Sequence, residues 1–131
     1  TDLTVALQYL TNAIKKRCTT FVLSDFIEER DFKNALIIAN RKHDVVAIQV
    51  YDKRVEELSD VGLMKMVDPE SDEDVYVDTS SRKVRALHRK WWIESQVRLR
   101  DTFSKSGVDS ISVRTDQDYV KSLMNLFAKR N

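Results

Sequence analysis

The sequence is short of the residues that punctuate or staple a chain: two Gly, one Pro and one Cys in 131 residues. So little Gly and Pro excludes collagen-like and low-complexity chains. It also leaves no material for a glycine-rich loop that cradles phosphates. A single cysteine, Cys18, excludes a disulfide framework within the chain and suggests a cytoplasmic setting. No apolar run approaches the roughly 20 residues of a membrane span, and neither a span nor a signal peptide is expected in this chain. Net charge is equally sparse. Twenty-two Lys+Arg oppose 21 Asp+Glu, a balance unlike the basic excess of a dedicated nucleic-acid binder. What remains is 42% hydrophobic residues. That is enough for one core at a length typical of a single domain, so one domain over 1–131 is expected.

Periodicity orders the elements. Leu3, Ala6, Leu7, Leu10 and Ile14 recur at helical steps, with Thr1 or Asp2 as the cap and Lys15, Lys16 and Arg17 in the last turn. Residues 19–24 (TTFVLS) and 45–51 (VVAIQVY) are short, β-branched and nearly continuous, the signature of strands buried on both faces. A helix over 31–42 separates them. Beyond a loop with Gly62, residues 63–67 and 75–77 flank an acidic turn and read as a hairpin. The longest helical pattern starts at a Thr79 or Ser80 cap and runs to about Ser104. Its stripe of Val84, Leu87, Trp91, Trp92, Leu99 and Phe103 should face the sheet, with Ile93 and Val97 opposite. Gly107 ends it, 108–114 reads as a third buried strand, and Thr115 to Asp118 resembles a capping box before a last helix through Phe127. The alternation predicts an α/β fold with a mainly parallel sheet flanked by helices and a β-hairpin insertion. Three strands are few for such a sheet, so the chain is expected to be an incomplete domain. Its first helix and outer strand should then expose apolar surface and favour self-association.

In open α/β sheets, sites form beyond the carboxyl ends of strands. That rule singles out Ser24-Asp25, Asp52 and Thr115-Asp116. Asp25 and Asp52 are hard oxygen ligands that suit Mg²⁺, and equally the short acidic residues that cap turns. No nucleophile elbow, Walker loop, dinucleotide fingerprint or metal-ligand spacing is present, so a catalytic role is not expected. Nothing places His43 or His88 beside Cys18, and a structural thiol is the expectation. The basic residues Arg82 to Arg100, with Trp91 and Trp92, could serve nucleic acid. The adjacent acidic hairpin neutralises their field and favours a solvated helix face.

An ordered motif series then runs the length of the chain: Thr1-Asp2-Leu3, Ser24-Asp25-Phe26, His43-Asp44-Val45-Val46, Val61-Gly62-Leu63, Asp68-Pro69-Glu70, Val77-Asp78-Thr79, Gly107-Val108-Asp109, and Thr115-Asp116-Gln117-Asp118-Tyr119-Val120. Together these resemble the bacterial domain-of-unknown-function family 58, and its von Willebrand factor A-like core, over the carboxyl-terminal part of that domain. The resemblance implies a Rossmann-like sheet and a metal-ion-dependent adhesion site. Thr1 and Asp25 match two of its ligands, while the Asp-x-Ser-x-Ser loop has no counterpart, so this chain alone is expected to hold no Mg²⁺ and no other cofactor. It further implies a non-catalytic protein-interaction module working with a MoxR-type AAA+ ATPase in chaperone-like or complex assembly. Two alternatives stand beside it: a Mg²⁺-dependent phosphoester hydrolase using Asp25 and Asp52, and weak nucleic-acid binding through residues 82–100.

Overall fold

A computed structural model describes residues 2–27, 31–67 and 71–130. The chain divides into two compact units. One holds the chain up to Tyr51 and from Leu99 onward, the other Asp52–Arg98.

The first unit is built on three strands, β1 (Thr19–Ser24), β2 (Asp44–Tyr51) and β5 (Asp109–Arg114), paired in the order β1-β2-β5. Both pairings are parallel, with Thr19 opposite Asp44 and Val46 opposite Asp109. This is the mainly parallel sheet that the apolar runs predict, but only the central β2 is buried on both faces; β1 and β5, at the two edges, are partly exposed. The helices α1 (Leu3–Ala13) and α2 (Lys33–Lys42) pack on each other. They bury Leu3, Leu7, Leu10, Leu36 and Ala39 in one cluster with Val45 and Ala47 of β2. Phe26, Phe32, Leu99, Phe103 and Val108 complete that cluster. Each large side chain fully buried there contributes about 1.5–3 kcal/mol. Strand periodicity sends the alternate residues Val46 and Ile48, also buried, to the other face. On that side Phe21 of β1 meets Phe127 of α5 (Tyr119–Arg130) edge to face at 6.0 Å.

Asn40 joins the pieces. Its Oδ1 accepts from Val45 N–H at 3.1 Å, and its Nδ2 donates to Gly107 O at 3.2 Å. Gly107 has φ +70, the left-handed conformation that ends a helix with little cost only in glycine. At the opposite corner the Arg130 guanidinium bridges the carboxylates of Asp44 and Asp109, at the starts of β2 and β5. As expected, the outer strand and first helix expose apolar groups: Leu23 is 66% exposed and Tyr9 67%.

The second unit carries α3 (Lys53–Glu56), the antiparallel hairpin β3 (Leu63–Val67) and β4 (Asp74–Asp78), and most of α4 (Arg82–Ser106). The turn at 68–70 lies outside the described residues. Thr79 is wholly buried and locks the base of the hairpin. Its Oγ1 donates to Gly62 O at 2.6 Å and accepts from Val61 N–H at 3.1 Å.

Several local expectations need correction. α1 stops at Ala13, because Ile14 turns extended toward β1, so Lys15 to Arg17 follow the helix instead of ending it. Its cap is Asp2, which accepts from Thr4 N–H. α4 is capped by Ser81, since Thr79 is committed to the hairpin. α5 is capped by Asp118 through Val120 N–H, and no Thr115 box forms there. Within the expected loop after β2, residues Lys53–Glu56 form one short helical turn, α3, capped by Asp52. The buried line of α4 runs through Trp92, Leu99, Phe103 and Ser106, leaving Leu87 and Trp91 exposed. Apolar counting placed the stripe off-axis because the buried line includes a polar member, Ser106. Ile93 and Val97 are exposed, as expected.

Candidate functional site

Of the strand-end acids, Asp25 has the most elaborate support. It follows β1 in a turn whose backbone is fixed from three sides. Ser24 Oγ accepts from Phe26 N–H, and Asp25 Oδ1 accepts from Ile27 N–H, each at 3.0 Å. Phe26 sits at φ +55, a rare conformation for a bulky residue and one that persists only when its surroundings enforce it. Packing enforces it here: the Phe26 ring is buried, 5.1 Å from Phe103 and 6.0 Å from Phe32.

The third hold comes from across the sheet. Gln49, 1% exposed in mid-strand of β2, donates from Nε2 to the Asp25 carbonyl at 3.1 Å. Its Oε1 accepts from Ser112 Oγ of β5 at 2.8 Å. A buried amide is tolerated because both ends are satisfied. The result is an exposed carboxylate on a backbone that is tied to all three strands.

The other candidates serve local structure. Asp52 Oδ1 caps α3, accepting from Arg54 N–H at 2.8 Å and from its guanidinium at 3.4 Å. These contacts, led by the backbone hydrogen bond, hold its carboxyl below the ordinary aspartate range. Asp78 is held low in the same way by the Ser80 hydroxyl and N–H. Asp116 pairs with Arg114 at 2.6 Å, and Thr115 N–H donates to Tyr51 O, prolonging the β2–β5 ladder. Thr1 lies outside the described residues. Asp25 is therefore a single carboxylate with one oxygen already accepting a backbone N–H, and no group of three or more acidic, His or Cys side chains fit for a metal occurs among the described residues.

Sequence reasoning missed one contact. Cys18 and His43 stand side by side, Sγ to Nδ1 at 3.4 Å. The signal was the strand register: parallel β1 and β2 begin opposite each other, so the residues preceding them meet. The arrangement is structural. His43, wholly buried, accepts at Nδ1 from Cys18 N–H at 3.1 Å and donates from Nε2 to Leu10 O at 3.2 Å. Its lone pair is thus engaged by the backbone, and no free base faces the thiol.

On α4, Arg85, Arg89 and Lys90 find acidic partners in their own unit. Arg89 pairs with Glu57 at 3.3 Å and Arg85 with Asp60 at 3.6 Å, while Lys65 of β3 holds Asp74 of β4. The acids that Arg85 and Arg89 meet, Asp60 and Glu57, lie in the segment before the hairpin. His88 is fixed by Val55 O at 2.6 Å and lies 5.3 Å from the Trp91 ring.

A parallel α/β sheet with a rigidly built, strand-end aspartate loop defines the class of domain. Residues 1–98 match the family described as "Protein of unknown function DUF58", and the chain belongs to that family. It is 29% identical, over 98% of its length, to uncharacterized protein Mb1516 of Mycobacterium bovis and to uncharacterized protein Rv1480 of Mycobacterium tuberculosis. It spans 40% of the length of each. Uncharacterized protein MAV169 of Mycobacterium avium is 26% identical over 98% of the chain and 76% of its own length. No solved structure matches the chain. No described helix is long and apolar enough to cross a membrane.

Proposed function

We propose that this chain is a non-catalytic protein-interaction module with a von Willebrand A-like plan, acting through the Asp25 loop in the cytoplasm. The observation that carries the reading is the hold on that loop. A strained Phe26, two side-chain-capped turns and the buried Gln49 amide all fix one exposed carboxylate at the carboxyl end of a parallel strand. Such rigidity is what a recognition residue needs, because little conformational entropy is lost when a partner engages it. The family resemblance supplies the partner class, a MoxR-type AAA+ ATPase in complex assembly. It also supplies a cation in the intact domain, whose remaining ligands would come from outside the described residues. The locally paired charges of α4 weigh against the nucleic-acid reading, and the capping role of Asp52 against a two-aspartate hydrolase.

The test is Asp25→Ala in the full natural polypeptide, with Mg²⁺ affinity read by calorimetry and capture of a MoxR-type AAA+ ATPase from the same organism by pull-down. Loss of partner capture, with the melting temperature kept within a few degrees, is the expected result. Unchanged capture and unchanged Mg²⁺ affinity would remove Asp25 from the function.

A further inference from the structure

A second surface of the first unit is built differently. Among the described residues β5 pairs only with β2 and so stands at an edge of the sheet. A groove of about 390 Å³ lies between β5 and α5, which pack on each other. Its strand wall comprises the four consecutive residues 109–112. Successive side chains of a strand point to opposite faces, so a groove that touches four in a row follows the strand's free edge. Its other wall, with Ser122, Asn125 and Lys129 at i, i+3 and i+7, is one face of α5.

The chemistry of this edge sets it apart from β1. On β1 the exposed groups are Phe21 and Leu23, which call for permanent cover. On β5 they include Ser110 and Ser112, compatible with water when nothing is bound. The groove floor is the buried Leu126. Of its two cations, Arg130 is taken up by Asp44 and Asp109. Lys129 makes no ion pair with any described residue.

We propose that this groove binds an extended, acidic peptide segment of a partner protein, added to β5 as a further strand, with a carboxylate of that segment at Lys129. A strand edge beside a helix lets main-chain hydrogen bonds supply affinity while side-chain contacts with the helix select sequence. This site is independent of the Asp25 loop.

The test titrates ¹⁵N-labelled protein with a capped hexapeptide of alternating valine and threonine carrying one aspartate, and with its lysine counterpart. The aspartate peptide is expected to shift amide signals of residues 109–114 and 122–130. The lysine peptide should bind about three- to fivefold more weakly, the scale of one exposed ion pair. Lys129→Glu should reverse that preference, a change that mere loss of structure does not produce. N-methylation of alternate peptide bonds in the probe should abolish binding, with the protein untouched. Shifts confined to residues 19–24, equal binding of both peptides, binding of the N-methylated probe, or no shift at millimolar peptide would each overturn the proposal. So would concentration-dependent shifts of the same signals without peptide, which would assign the groove to a second copy.

Discussion

Replacing Gln49 with Leu keeps the volume of the side chain and deletes both of its hydrogen bonds. Those bonds run to the Asp25 carbonyl at 3.1 Å and from Ser112 Oγ at 2.8 Å. Each is worth about 0.5–1.5 kcal/mol net, so the pair contributes roughly 1–3 kcal/mol. Burying leucine in place of an amide returns part of this, and the exposed Ser112 hydroxyl finds water at once. The Asp25 carbonyl has no such easy substitute. The expected net loss is about 1–2 kcal/mol, a fall in melting temperature on the order of 5 °C for a chain of this size. The diagnostic readout is local. Phe26 and Ile27 amides are bonded to Ser24 Oγ and Asp25 Oδ1, and their hydrogen exchange should accelerate selectively as the turn loosens. Exchange in α1 should follow the global loss and no more. A stabilised Gln49→Leu protein, with Phe26 and Ile27 exchanging as before, would refute the reasoning that the buried amide holds the Asp25 loop.

His43→Ala should cost about 2–4 kcal/mol, since it removes two buried hydrogen bonds and leaves a void, and differential scanning calorimetry would read it. The thiol of Cys18 should then alkylate faster with iodoacetamide than in the parent, reporting opening at the start of β1. Acid should act at Asp52 and Asp78, whose carboxyls are depressed by their Arg54 and Ser80 contacts. A depressed carboxyl adds stability that is present above its unfolded pKa and is lost as pH falls through the folded value. The second unit should therefore loosen below the ordinary aspartate range, and the Asp52→Asn, Asp78→Asn double variant should show a shallower acid transition by circular dichroism.

Much of the fold was legible in local pattern. The β-branched runs at 19–24 and 45–51 announce strands of a parallel sheet, and the hairpin and the long helix follow from period alone. Burial was legible only for β2, because a run of apolar residues does not show that β1 stands at an edge. The strand-end rule also placed Asp25 correctly at a carboxyl edge. What supports Asp25 was invisible because it is non-local. Gln49 reads as one polar residue in an apolar run, and only the β1-β2-β5 register reveals a carbonyl on one side and a hydroxyl on the other. Cap positions failed for the opposite reason. Adjacent Thr79, Ser80 and Ser81 can all cap a helix, and the choice fell to Ser81 once Gly62 O claimed the Thr79 hydroxyl. The buried line of α4 includes Ser106, a residue that no hydrophobic count assigns to an interior.

The sheet's connectivity also dictates an order of assembly. Ser112 reaches Gln49 across 63 residues, and the whole second unit is translated between them. Until β5 emerges, one edge of β2 stands open with Val45 to Ile48 in its centre, a segment wholly buried once the sheet closes. Such an edge is sticky during synthesis, and parallel strands far apart in sequence close slowly. Asp44 stands at the start of that edge as a charged gatekeeper, uncompensated until Arg130 leaves the ribosome. The same clasp that holds two strand ends in the finished fold thus leaves a lone negative charge on guard until Arg130 has been made.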